Sequence, residues 1–94
     1  MRISKVIWLP DIVDKLAWKH HLATWEVEQT LANSPRFKFA ERGRHRGEDV
    51  YVAFGQSDEG RYLAVWFIYK TNREALVLSG RDMDDKERKT FGKK

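Results

Sequence analysis

The sequence predicts a single α+β domain spanning residues 1–94, with an antiparallel meandering β-sheet flanked by two short N-terminal helices and one C-terminal helix. Three observations predict it. Apolar residues recur at helical spacing from residue 12 to residue 31, and from Arg36 the pattern switches to alternation. Three later runs, 50–55, 61–70 and 75–80, are β-branched or aromatic and are parted by short polar turns. The segment after residue 82 carries acids first and bases later, the order a helix dipole favours.

The first strand is "ISKVIW", stopped by Leu9-Pro10 because proline cannot continue a β ladder. Asp11 is then the expected N-cap of a helix whose apolar stripe is Ile12, Val13, Leu16 and Ala17, with His20 at its end and Lys15 and Lys19 on a neighbouring face. Thr24 is the expected cap of a second helix. Glu26 and Glu28 fall in its first turn, Trp25, Val27 and Leu31 are expected to contact the core, and Asn33-Ser34-Pro35 ends it. Phe37 and Phe39 alternate with Arg36 and Lys38, which gives a strand with a basic outer face. A turn dense in cations follows, and then a strand from Val50 to Gly55. "RYLAVWFIYK" reads as a central strand and "ALVLSG" as the last one. Asp82 is the expected cap of the helix "MDDKERKTF".

With 41% hydrophobic residues, including four Trp, five Phe and three Tyr, the 94-residue chain has enough apolar area for one core. Cysteine is absent, which excludes a disulfide framework, a thiolate metal site and a thiol nucleophile. The three histidines lack ligand spacing, so no metal or other cofactor is expected. Gly43, Gly47, Gly55 and Gly60 read as turn residues without a following helix, so there is no phosphate-binding glycine loop. No run reaches the roughly 20 apolar residues that span a bilayer, and the N-terminus lacks a signal-peptide pattern, so a cytoplasmic protein with no membrane partner is expected. The net charge of +4 favours an acidic partner, nucleic acid first.

Arg42, Arg44, His45 and Arg46 crowd into one turn beside Glu48 and Asp49. A bland reading is a solvated hairpin tip. The sharper one is a track for a nucleic-acid backbone made of Arg36, Lys38, Arg42, Arg44 and Arg46, with Tyr51, Tyr62 or Trp66 stacking bases.

Several segments together resemble the BrnT family of toxins from bacterial type II toxin–antitoxin pairs. They are Ile7, Trp8 and Pro10, the pair Lys19-His20, "TWEVEQTL", "GEDVYVAFG", "GRYLAVWF" and "LSGRDMDDKER", in order across nearly the whole chain. The match departs at Val50, where family members commonly carry arginine, and at His21, where glycine usually follows the histidine. The resemblance implies a RelE-like fold, metal-independent cleavage of RNA, and silencing by a cognate antitoxin, expected to be of ribbon-helix-helix type. The reading kept beside it is a non-catalytic member of the same fold that binds RNA or protein.

Such cleavage needs a base for the 2′-hydroxyl, cations around the phosphorane and an acid for the leaving oxygen. Glu48 or His20 fits the base, His20 or Lys19 the acid, and Arg61 with Arg81 the phosphate clamp. Each has a structural alternative: His20 capping its own helix, Glu48 paired with Arg46 or Arg61, and the two arginines bridged to Asp58 or Asp82.

Overall fold

The structure is a computed structural model that describes residues 1–92. In chain order it contains β1 (Lys5–Ile7), α1 (Pro10–His20), α2 (Thr24–Ala32), β2 (Arg36–Glu41), β3 (Val50–Gln56), β4 (Tyr62–Tyr69), β5 (Glu74–Asp82) and α3 (Asp85–Gly92). The α+β class, the two N-terminal helices and the C-terminal helix are as expected.

The sheet has the order β1-β5-β4-β3-β2 and is mixed, not antiparallel throughout. β2 to β5 form the antiparallel meander, but β1 pairs parallel to β5, with Lys5 opposite Glu74 and Ile7 opposite Leu76. The connectivity explains the exception. α1 and α2 carry the chain from one edge of the sheet to the other, and the meander then returns strand by strand until β5 lies beside β1. A parallel neighbour requires such a long crossover, and two helices supply it.

Three of the expected caps differ. Pro10 occupies the first position of α1 and Leu9 the cap, so Asp11 lies in the first turn; proline is pre-set for that place. Ala23, not Thr24, precedes α2, and its N–H donates to Glu26 Oε1 at 3.0 Å. α3 starts later than expected, with Asp84 and Glu87 exchanging bonds of 2.8 and 2.9 Å, a reciprocal cap that Asp82 does not provide. Gly55 lies inside β3, where an added Cβ would come within 2.9 Å of Pro35 and 3.1 Å of Thr30.

The core lies between the helix layer and one face of the sheet. Leu16, Leu22, Val27 and Leu31 cover Ala53, Leu63, Val65, Phe67, Ala75 and Val77, all of them nearly or fully buried. Strand alternation puts Val52, Ala64 and Trp66 on the opposite face, which α3 covers only at one end. β5 departs from simple alternation. Trp66 pairs with Ser79 but Phe67 pairs with Val77, so Leu78 is an extra residue in the strand. One extra residue exchanges the two faces for everything beyond it. Gly80 therefore sits beneath Leu16 and Leu22, and Arg81 turns to the face away from the helices.

Candidate nucleic-acid interface

The pairing register sets Arg36, Phe54, Ala64 and Arg81 in one row across four strands, on the face away from α1 and α2. The next row is Lys38, Val52, Trp66 and Ser79. Three strand spacings separate the cations at the two ends of the first row, about 14 Å. The Arg81 guanidinium lies 4.9 Å from the centre of the Trp66 ring. α3 roofs one end of this face, where Phe91 meets Tyr62 edge-on at 6.1 Å and Arg88 lies 4.4 Å above Tyr62. Between α3 and β2 and β3 runs a groove of about 500 Å³ lined by Arg36, Lys38 and Lys86 and also by the carboxylates of Asp84 and Glu87.

Beyond β2 the cations continue into the turn. Arg42, Arg44 and Arg46 are exposed, and the turn is shaped by its own polar groups: Gly43 N–H donates to Asp49 Oδ1 at 2.9 Å and Glu48 N–H to the His45 carbonyl at 3.2 Å. Gly47 takes the positive φ of 79° that glycine adopts without strain. Arg36 and Lys38 thus share one face of the edge strand β2, and the exposed Arg42, Arg44 and Arg46 follow beyond its end, after a register shift between Phe39 and Glu41. Of the aromatics expected to stack bases, Tyr62 and Trp66 share this face, whereas Tyr51 packs against the core beside Phe67.

At the end of the sheet near α3, Arg61 directs all five of its N–H groups to protein acceptors. Nε and Nη2 donate to the two Asp82 carboxylate oxygens at 2.7 and 3.1 Å, Nη2 to the His20 carbonyl at 2.9 Å, and Nη1 to the His21 carbonyl at 2.8 Å. Nη1 also meets the Glu26 carboxylate at 3.2 Å. This one side chain ties the end of α1, the start of α2 and the end of β5. Hydrogen bonding from Arg61 holds the Asp82 carboxyl below its ordinary pKa, with help from the charges of Arg61 and His20 and against a smaller cost of burial. Arg81 is paired as well. Its two terminal nitrogens grip Glu87 at 2.7 and 3.0 Å, which depresses the Glu87 pKa, and Nη1 donates to the Asp82 carbonyl at 3.0 Å.

Lys19, His20 and Arg61 gather at this end, and Arg81 lies at the same end on the other face. Glu48 does not join them. It precedes β3, whose first residue pairs with Ile68 and whose last pairs with Tyr62, so the whole length of that strand, six steps or about 20 Å, lies between it and Arg61. Among the described residues Glu48 forms no ion pair with Arg46 or Arg61. Lys19 and His21 are exposed and His20 is half-buried. No group of His, Asp and Glu among the described residues has the geometry to hold a metal ion, and no helix among them is long and apolar enough to cross a membrane. Sequence reasoning did not find Glu26 and Glu87 as the partners of the two arginines, although Asp84 and Glu87 stand at capping-box spacing.

This is a BrnT-like fold, a small five-stranded mixed sheet with three helices. Among the solved structures it resembles is that of the Brucella abortus ribonuclease toxin BrnT, with a TM-score of 0.62 and 20% sequence identity over 86% of this chain and 97% of that one. No protein-family model and no curated protein matches the sequence.

Proposed function

We propose that this chain is the ribonuclease toxin of a type II toxin–antitoxin pair, and that single-stranded RNA lies across the sheet face between the cations of β2 and Arg81. The observation that carries this reading is the Leu78 bulge, which turns Arg81 onto the face where Arg36, Lys38 and Trp66 stand. The fold's likeness to a ribonuclease toxin supports it. Phosphates meet the cations of β2 and its turn, and bases stack on Trp66 and Tyr62 when Arg81 and Arg88, which lie over those rings, turn to the phosphates.

The reaction needs no metal. The RNA 2′-oxygen bonds to the adjacent phosphorus, the bond from phosphorus to the 5′-oxygen breaks, and a 2′,3′-cyclic phosphate and a 5′-hydroxyl result. One group accepts the 2′ proton and another donates to the leaving oxygen. The acid–base candidates of this reading are His20 and Lys19, which close α1 at the same end of the sheet as Arg81 but on its other side. Glu48, at the far end, belongs to the stretch that holds the backbone. A cognate antitoxin of ribbon-helix-helix type, in the cytoplasm, silences the chain by laying acidic groups over the cation row.

A second reading, a non-catalytic RNA-binding member of the fold, is favoured by one observation. Arg61 and Arg81 already grip carboxylates. Incubating the purified chain with end-labelled single-stranded RNA in a chelator separates the two. Cleavage leaving cyclic phosphate ends, reduced about 100-fold in a folded Arg81→Ala variant, supports the enzyme. Binding without cleavage supports the second reading, and absence of binding overturns both.

A further inference from the structure

Trp18 and Trp25 are 71% and 65% exposed, unlike the other two tryptophans. Trp8 donates from Nε1 to Glu28 at 2.8 Å and Trp66 lies under Arg81, but among the described residues neither Trp18 nor Trp25 has a hydrogen bond or ring contact. Helical spacing explains where they point. Trp18 is two residues, about 200°, from the buried Leu16, and Trp25 the same distance from the buried Val27, so both rings leave the outer surface of the helix layer. They stand on either side of the three-residue corner that Arg61 fixes through the His20 and His21 carbonyls. Large exposed aromatics on a rigid corner are what an interface core uses as anchors.

The surrounding charges decide the occupant. Asp14 and Lys15 share the Trp18 face at one turn's distance, Lys19 adjoins it, and Glu28 lies one turn from Trp25. Phosphates would meet Asp14 and Glu28. A rim carrying both signs suits a partner with the same rim, because in a two-fold pair each residue of the patch meets another residue of the same patch. We infer that the outer faces of α1 and α2 at the Trp18 and Trp25 corner form a self-association surface, and that the occupant is a second copy of this chain. The surface lies on the opposite side of the sheet from the cation row, so it does not rest on the RNA reading.

Rings that bury about 150–250 Å² each leave, at these exposures, roughly 200–350 Å² to cover per copy. With its rim, the pair falls below the roughly 1,200 Å² of a standard interface, so the dimer is a weak, concentration-dependent one. Sedimentation velocity from about 1 to 300 μM, a range that spans weak association, should show the wild type passing from monomer to dimer. A Trp18→Ala, Trp25→Ala double variant with an unchanged circular dichroism spectrum should stay monomeric throughout. A wild type monomeric at every concentration overturns the inference, as does a double variant that dimerises equally. It also falls if the wild type stays monomeric while an RNA oligonucleotide quenches its tryptophan emission and leaves the double variant's unchanged.

Discussion

Arg61 and Asp82 form a fork-to-fork pair, Nε to Oδ1 at 2.7 Å and Nη2 to Oδ2 at 3.1 Å, at the point where β4 begins and β5 ends. The remaining Arg61 donors reach α1 and α2, so one side chain joins three elements. Arg61→Ala should cost about 2–3 kcal/mol and lower Tm by roughly 10–20 °C. Arg61→Lys should recover little of this, because a point charge cannot reach four groups of acceptors. Thermal melts of the two variants check both statements; a melting temperature within about 2 °C of wild type for either would remove Arg61 from the framework.

The same pair sets an acid limit. The carboxyls of Asp82 and Glu87 are held below their ordinary pKa values, the first mainly by its hydrogen bonds from Arg61 and the second by those from Arg81. A depressed folded-state pKa adds stability that is present above the unfolded value and lost as pH falls through the folded one. Stability contributed by these two groups should therefore be level above about pH 5 and fall below about pH 4. Urea titrations at a series of pH values check this, and Asp82→Asn should give a shallower acid limb than wild type.

His21 closes α1 in the left-handed region, φ 50° and ψ 42°, with its N–H on the Ala17 carbonyl at 3.1 Å. A Cβ is strained there and glycine is not. The His21 side chain is exposed, and Arg61 uses only its carbonyl. His21→Gly should therefore stabilise by about 0.5–1 kcal/mol, since relief of strain exceeds the added freedom of the unfolded chain. Chemical denaturation will show a higher midpoint at constant slope if this is correct.

Glu87 competes with any phosphate for Arg81, and it also closes the reciprocal cap of α3. Glu87→Gln should tighten RNA binding about 3- to 10-fold at low salt while lowering stability by about 1 kcal/mol. Titrating a fluorescent oligonucleotide against both proteins tests the first effect. Weaker binding by a folded variant would place Arg81 outside the RNA surface.

The elements that follow from periodicity alone were legible. Alternation sent Arg36 and Lys38 to one face of β2, and helical spacing put Leu16, Val27 and Leu31 inward, but Trp25, expected at the core, is exposed because it lies about 200° round α2 from Val27. The direction of β1 was not legible, because it depends on where two helices deliver the chain. The Leu78 bulge was hidden for a different reason. "ALVLSG" is apolar on both faces, so alternation marks no position at which the register shifts. Asp82 failed as a helix cap because Arg61, 21 positions earlier, takes its carboxylate. The separation of Glu48 from Arg61 was open to reading. A hairpin turning between β3 and β4 puts the start of the first strand at the far end from the turn, and Arg61 follows that turn directly.

The parallel seam between β1 and β5 also governs when the molecule exists. Lys5 finds its partner Glu74 roughly 70 positions downstream, and a strand with so distant a neighbour gains nothing until that neighbour has been made. On the ribosome the first strand and its two helices wait in the open while the meander is synthesised, and at about 5–20 residues per second that wait lasts several seconds. The row that aligns Arg36 with Arg81 closes only at the end of it. A half-made chain therefore lacks the assembled surface, and whatever the finished surface binds is beyond its reach until synthesis is nearly complete.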